Sequence, residues 1–315
     1  MIIGNLVIFI ISCLILILSG SFLVKSLSKI SSFLKISEFA VGFLIMAVAT
    51  SMPELFVGIT AALNANSALA LGTVIGSNIV DLTLVLGIII LLSREIKVKQ
   101  KSIKKDALFM FFIAILPLVL MFLGNTLSRV DGVILIAVFL LYSHRLLKQS
   151  REFSKKVEDG VKRVEIVSYS GLFIISLLLL FFSANYVVKY ATLLSIDLAL
   201  PPILIGLFLI ALGTSLPELV FGARAALTGH GGMSLGDIMG AIVVNSTLVL
   251  GVTAIIYPIT ADFLLFLVSG VFMILIIFLF VTFLESGNKL SWREGISLIL
   301  FYVFFIVLEL YIRTV

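Results

Sequence analysis

Apolar residues run along this chain in stretches of about 20, divided by short polar segments, and about 20 is the length a helix needs to cross a bilayer. The stretches fall near residues 2–24, 38–62, 69–92, 106–124, 131–147, 167–187, 201–227, 234–257, 262–284 and 295–312. They predict an all-α integral membrane protein with ten transmembrane helices. The first stretch is read as a membrane helix and not a cleaved leader: no basic region precedes it, it is long, and no small-residue cleavage site comes after it.

The pattern is interrupted twice in the same way. TSMPELFVGITAAL (50–63) returns as TSLPELVFGARAAL (214–227), an offset of 164 residues. At that offset LGTVIGSNIVDLTLVLG (71–87) matches LGDIMGAIVVNSTLVLG (235–251), with no gap from residue 49 to 87. Shared Thr-Ser-x-Pro-Glu and shared glycines in one register point to duplication, not to chance likeness of greasy segments. The connectors NANSALA and TGHGGMS share nothing in sequence. The one substantial hydrophilic stretch, around 145–166, has five runs before it and five after. Five is odd, so the second half enters the membrane from the opposite side. The expected architecture is two inverted five-helix repeats, 1–148 and 167–315, joined by a linker at 149–166. Proline-interrupted helices lie at the centre, and such breaks in corresponding positions are the usual sequence pointer to a transporter site at the midplane.

Charge sharpens the topology. Of 315 residues, 61% are hydrophobic and 12% charged, and the net charge is +5. The basic residues sort by side. Lys25, Lys29, Lys35, the Arg94–Lys105 stretch, the 144–166 loop, Lys289 and Arg293 share one side. Only Arg129, Lys189 and Arg313 fall on the other. The positive-inside rule makes the rich side cytoplasmic, so both termini face outside. This distribution is not a nucleic-acid signature. The single cysteine, Cys13, excludes a disulfide framework, and His144 and His230 fall in expected loops, against a histidine metal centre.

The interruptions carry the chemistry. Pro53 and Pro217 donate no backbone hydrogen bond and clash with the carbonyls of Ala49 and Gly213. Oxygens freed at membrane depth must be satisfied by something. Glu54 and Glu218 come directly after the prolines, and a carboxylate at that depth costs roughly 2.5–3.5 kcal/mol on the lenient insertion scale. Thr50 and Thr214 share a helical face with them. In the next segment Thr73, Ser77 and Asp81 stand four residues apart, opposite Asp237, Ala241 and Asn245. Gly72, Gly76, Gly236 and Gly240 permit close packing. No lysine or arginine lies at matching depth; Arg224 is near a helix end, and Glu309 is expected to be interfacial. Asp237 has two readings, a site acid or a group that stabilises its helix start. Bound cations or protons must compensate the acids, and all-oxygen ligands suit Ca²⁺ and Na⁺.

Paired TS-x-PE segments, each followed by a G-x-x-x-G-[SA]-x-x-x-[DN] helix, resemble the α-repeats of the calcium/cation antiporter superfamily, above all prokaryotic sodium/calcium exchangers. The resemblance covers essentially the whole chain. It implies Na⁺/Ca²⁺ antiport by alternating access. It also implies that Glu54 and Glu218 are the Ca²⁺ ligands, aided by the Thr50 and Thr214 carbonyls and flanked by Ser51 and Ser215. Ser77 and the carbonyls of Ala47 and Ala211 would serve Na⁺, and Asp81 and Asn245 would border the centre. Three departures stand out: Asp81 and Asn245 are exchanged relative to the prokaryotic pattern, Ala241 replaces a serine, and Asp237 replaces a neutral residue. They leave open a relative driven by H⁺, K⁺ or another divalent ion. A passive channel is a lesser alternative. No G-x-x-x-x-G-K-[ST] or H-E-x-x-H motif supports a pump or an intramembrane enzyme. The expected partners are Ca²⁺, Na⁺ and the lipid bilayer. No resident cofactor, nucleic acid or protein partner is implied.

Overall fold

A computed structural model describes residues 2–31, 46–98, 101–151, 163–260, 263–287 and 289–312. Part of the expected 38–62 span, most of the 149–166 linker, and Lys35, Lys99, Lys155, Lys156, Lys162 and Arg313 lie outside the described residues.

Helix dominates because a chain in lipid must satisfy its backbone within each segment. The first half contains α1 (Ile2–Ser31), α2 (Ala47–Thr50), α3 (Met52–Leu63), α4 (Ser67–Val80), α5 (Leu86–Ser93), α6 (Lys101–Gly124) and α7 (Arg129–Arg151). The second contains α8 (Arg163–Asp197), α9 (Pro202–Leu204), α10 (Ala211–Thr214), α11 (Leu216–Leu227), α12 (Gly231–Val244), α13 (Leu250–Ile256), α14 (Phe263–Ser286) and α15 (Trp292–Ile312). π-helical turns at Asp81–Val85, Ile205–Ile210 and Asn245–Val249 join α4 to α5, α9 to α10, and α12 to α13. Among the described residues, eight helical segments are long and apolar enough to cross a membrane, so the protein is multi-pass. The span Ser67–Ser93 and the span Gly231–Ile256 are each 83% buried, against 22% for Arg129–Lys148. The two sequence-matched segments are therefore the centre of the bundle. On the outside, large apolar side chains such as Phe112, Leu123 and Val130 are exposed, placed to meet lipid.

Elements recur at the offset of 164. The short strands β1 (Glu95–Lys97) and β2 (Lys289–Ser291) pair antiparallel, Glu95 opposite Ser291. A single bridge joins Leu127 to Ile259. These are the same contact seen from the two halves, since Ile259 is the counterpart of Glu95 and Ser291 that of Leu127. Glycine contacts repeat the relation to within one position. A Cβ on Gly87 would lie 2.9 Å from the Gly295 carbonyl oxygen, and one on its counterpart Gly251 would lie 3.0 Å from that of Gly132. The connectors that share no sequence also share a backbone. Asn66 N–H donates to Ala61 O and His230 N–H to Ala225 O, each at 2.8 Å, closing the same left-handed helix cap. Ala65 (φ 54°) and Gly229 (φ 88°) hold the left-handed position.

Three expectations change. His144 lies within α7 and not in a loop. The 69–92 span is not one α-helix, because a π turn interrupts it at Asp81. Glu309 is buried at 1% exposure and accepts a hydrogen bond from Ser269 at 2.5 Å; packing of α15 against α14 covers it, which proximity to a helix end does not reveal.

Candidate functional site

Each proline sits in the first turn of its helix, where a missing N–H costs nothing. Just before it the chain leaves helical geometry, at Ser51 (ψ 4°) and Ser215 (ψ 0°). Ser51 N–H closes on Ala47 O at 3.0 Å, and Ser215 N–H on Ala211 O at 3.1 Å. Two fresh helix N-termini thus open inside the bundle, with Glu54 and Glu218 in their first turns. The positive end of a helix dipole favours a carboxylate there. Glu54 is 1% exposed and Glu218 fully buried.

Side chains from both halves meet between the breaks. Ser77 donates to Glu54 Oε1 at 3.1 Å, and its hydroxyl lies 3.2 Å from that of Thr214. Thr50 Oγ1 lies 3.3 Å from both Asp237 Oδ1 and the Ala47 carbonyl oxygen, and its one proton serves either. Thr214 likewise faces Ile210 O at 3.1 Å and Ala211 O at 3.3 Å. Asp81 lies near Ser215 and within electrostatic reach of Glu54 and Asp237. Glu218 feels Glu54, Asp81 and Asp237. Asn245 donates to Asn78 Oδ1 at 3.3 Å, and Asn78 in turn donates to Ser246 Oγ at 3.0 Å. All twelve expected site positions are buried, and the contacts above bring side chains of both halves together. Asp237 joins these contacts from the second turn of α12, past the helix start.

The imbalance lies in the oxygens that remain unpaired. Glu54 Oε2, both oxygens of Asp81 and of Glu218, Asp237 Oδ2, Asn245 Oδ1, and the Ser51 and Ser215 hydroxyls are buried with no hydrogen-bond partner among the described residues. Burying such oxygens uncompensated costs several kcal/mol apiece. No lysine or arginine is buried among the described residues, and Arg224 is exposed. Nor do three carboxylate, imidazole or thiol groups converge as a closed metal cage among the described residues. The cluster mixes carboxylates, hydroxyls, an amide and backbone carbonyls, a set suited to hard cations that are held and released.

Two features escaped sequence reading. Asp81 and Asn245 each begin a π turn, again at the common offset. One inserted residue rotates the rest of a helix by about 100°, and such turns gather at functional sites. Asn78 bridges the halves; its only sequence signal is the neighbouring Ser77.

The family model described as "Sodium/calcium exchanger protein" matches residues 4–147 and again 168–311. This chain belongs to that sodium/calcium exchanger family. The family pattern thus covers each half once, in the register of the internal repeat. The chain is 29% identical to "Sodium/calcium exchanger MaX1" of Methanosarcina acetivorans, over 99% of this chain and 100% of that protein. It is 28% identical to human "Sodium/potassium/calcium exchanger 2", over 49% of this chain and 23% of that protein. Among solved structures it is similar to the sodium-calcium exchanger NCX_Mj soaked with Na⁺ and Sr²⁺, with a TM-score of 0.72, 26% identity, and coverage of 98% and 99%. These exchanger relatives are transporters, not enzymes.

Proposed function

We propose that the chain is a secondary active antiporter that exchanges Na⁺ for Ca²⁺ at the central cluster by alternating access. The observation that carries this reading is the set of unpaired oxygens drawn from both halves, with no buried cationic side chain beside them among the described residues. Cations are then the compensating charge, and Ca²⁺ and Na⁺ compete for the same carboxylates. Glu54 and Glu218 are the Ca²⁺ ligands, with the Thr50 and Thr214 carbonyls, flanked by Ser51 and Ser215. Ser77 and the Ala47 and Ala211 carbonyls serve Na⁺, and Asp81 and Asn245 border the centre.

The architecture of this reading is ten transmembrane helices in two inverted repeats, 1–148 and 167–315, with a cytoplasmic linker at 149–166 and both termini outside the cell membrane. Cross-half contacts recurring at one offset support it. So does the pairing of Asn5 Nδ2 with Asp197 Oδ2 at 2.8 Å, which runs α1 antiparallel to α8. The moving part is the α1–α8 pair. Its apolar side chains cluster, apart from the main core, with Ala49, Val57, Ala61, Leu69 and Ile205 of the central segments, and Gly20 of α1 crosses both breaks, where a Cβ would lie 3.1 Å from Pro217 and 3.2 Å from Pro53. A contact made by glycine against two proline rings offers few side chains to interlock, which suits sliding.

The test is Ca²⁺ flux in proteoliposomes under an imposed Na⁺, K⁺ or pH gradient. Na⁺-driven flux is expected. Flux driven only by protons would reassign the coupling ion, and flux requiring no counter-ion would make the protein a channel.

A further inference from the structure

The halves of the centre do not match where Ser77 stands. Ser77 links Glu54 of its own half to Thr214 of the other. Its counterpart is Ala241, whose methyl group can bond neither Thr50 nor Glu218, the counterparts of Thr214 and Glu54. Yet Thr50 has a partner. Across the halves it is Asp237, one turn earlier on α12, with Thr50 Oγ1 3.3 Å from Asp237 Oδ1 and equally 3.3 Å from the Ala47 carbonyl oxygen of its own segment. The other oxygen, Oδ2, has no hydrogen-bond partner among the described residues, and the residue is fully buried. The counterpart of Asp237 is Thr73, and it behaves differently: its hydroxyl donates to Leu69 O at 2.9 Å within its own helix. Asp237 is thus turned to the centre where its mate is not.

We propose that Asp237 is a direct cation ligand that supplies, from one helical turn away, the oxygen missing at Ala241. This rests on the Na⁺/Ca²⁺ exchange reading and adds a ligand to it. A carboxylate reaches farther than a serine hydroxyl and so spans the extra turn. It also puts a full negative charge where the opposite subsite has a neutral hydroxyl. At short range in a poorly screened site a charged oxygen attracts a cation far more strongly than a dipole does. The subsite formed by Asp237 and Thr50 therefore holds Na⁺ more tightly than the Ser77 subsite, and the two Na⁺ positions are unequal.

The test uses purified full-length protein and measures how much Na⁺ displaces bound radioactive Ca²⁺, with exchange in proteoliposomes alongside. Asp237→Asn is expected to raise the half-displacing Na⁺ concentration at least about tenfold, equivalent to about 1.4 kcal/mol. Asp237→Asn combined with Ala241→Ser returns an oxygen to the position used in the other half but not the charge, and is expected to recover part of the lost Na⁺ displacement, ending between Asp237→Asn and wild type. Displacement by Na⁺ unchanged in Asp237→Asn would overturn the proposal, and so would failure of the double variant to recover. If Asp237→Asn does not fold, Ala241→Ser alone decides. Its hydroxyl competes with Asp237 for Thr50 and must shift the Na⁺ curve; an unshifted curve refutes the proposal. Wild-type protein that binds Ca²⁺ without any displacement by Na⁺ would instead bring down the exchange reading itself.

Discussion

Gly76 shows how backbone packing holds the buried polar cluster together. It lies on α4 one residue before Ser77, against the Ile205–Ile210 turn of the other half. A Cβ at Gly76 would come within 2.3 Å of the Leu207 carbonyl oxygen and 2.7 Å of the Ala211 Cβ. Both obstacles are backbone or Cβ atoms, so no rotamer relieves them. Restoring a tolerable 3.0 Å contact with the carbonyl requires about 0.7 Å of separation, and ordinary contact requires about 1.1 Å. The Ser77–Thr214 hydroxyl pair is at 3.2 Å, so a comparable displacement along it passes the limit of a hydrogen bond. Gly76→Ala is therefore expected to cost about 1–3 kcal/mol as overpacking and to weaken Na⁺ activation of Ca²⁺ exchange. Gly171→Ala on α8 is the control, because nothing lies within 4 Å of its Cβ. The assays are thermal unfolding in detergent and Na⁺ activation in proteoliposomes. A Gly76→Ala protein with wild-type melting and wild-type Na⁺ activation would refute both the close approach and its link to the site.

Glu54→Gln and Glu218→Gln should each abolish Ca²⁺ exchange while the protein still elutes as a folded species; wild-type flux in both would remove these residues from the site. Gly229→Ala should lower stability by about 1 kcal/mol and Ala65→Gly should raise it by a similar or smaller amount, because only glycine adopts the left-handed cap without strain; chemical or thermal unfolding reads both. The hydrogen bond from Lys289, 2.7 Å from Glu95 Oε2, holds the Glu95 carboxyl below its ordinary range. A carboxyl depressed on folding adds stability above its unfolded pKa and loses it as pH falls through the folded value. The difference in melting temperature between wild type and Lys289→Ala should therefore shrink on acidification, and a difference unchanged in acid would show that the pair does not couple β1 to β2.

Much of the fold was written in local pattern. The length of the apolar runs marks membrane helices because lipid leaves the backbone no partner outside its own segment. The breaks at Ser51 and Ser215 arise from the chemistry of Pro53 and Pro217, and the repeat at one offset ties both breaks to one plan. The central acids were legible because charge at that depth is costly wherever its partner lies. Legibility ended where an outcome depends on the element packed opposite. The greasy run through Asp81 contains no mark of its π turn, which packs against helices of the other half. Glu309 reads as a helix-end acid, and only Ser269 on α14 reveals it as buried. NANSALA and TGHGGMS look unrelated, yet backbone hydrogen bonds give them one shape. Asp237 reads from sequence as a helix-start acid or a site acid, and its contact with Thr50, 187 residues away, is visible only in the tertiary structure. Local chemistry determined which segments span and where they break; contacts between distant segments decided which oxygens face one another.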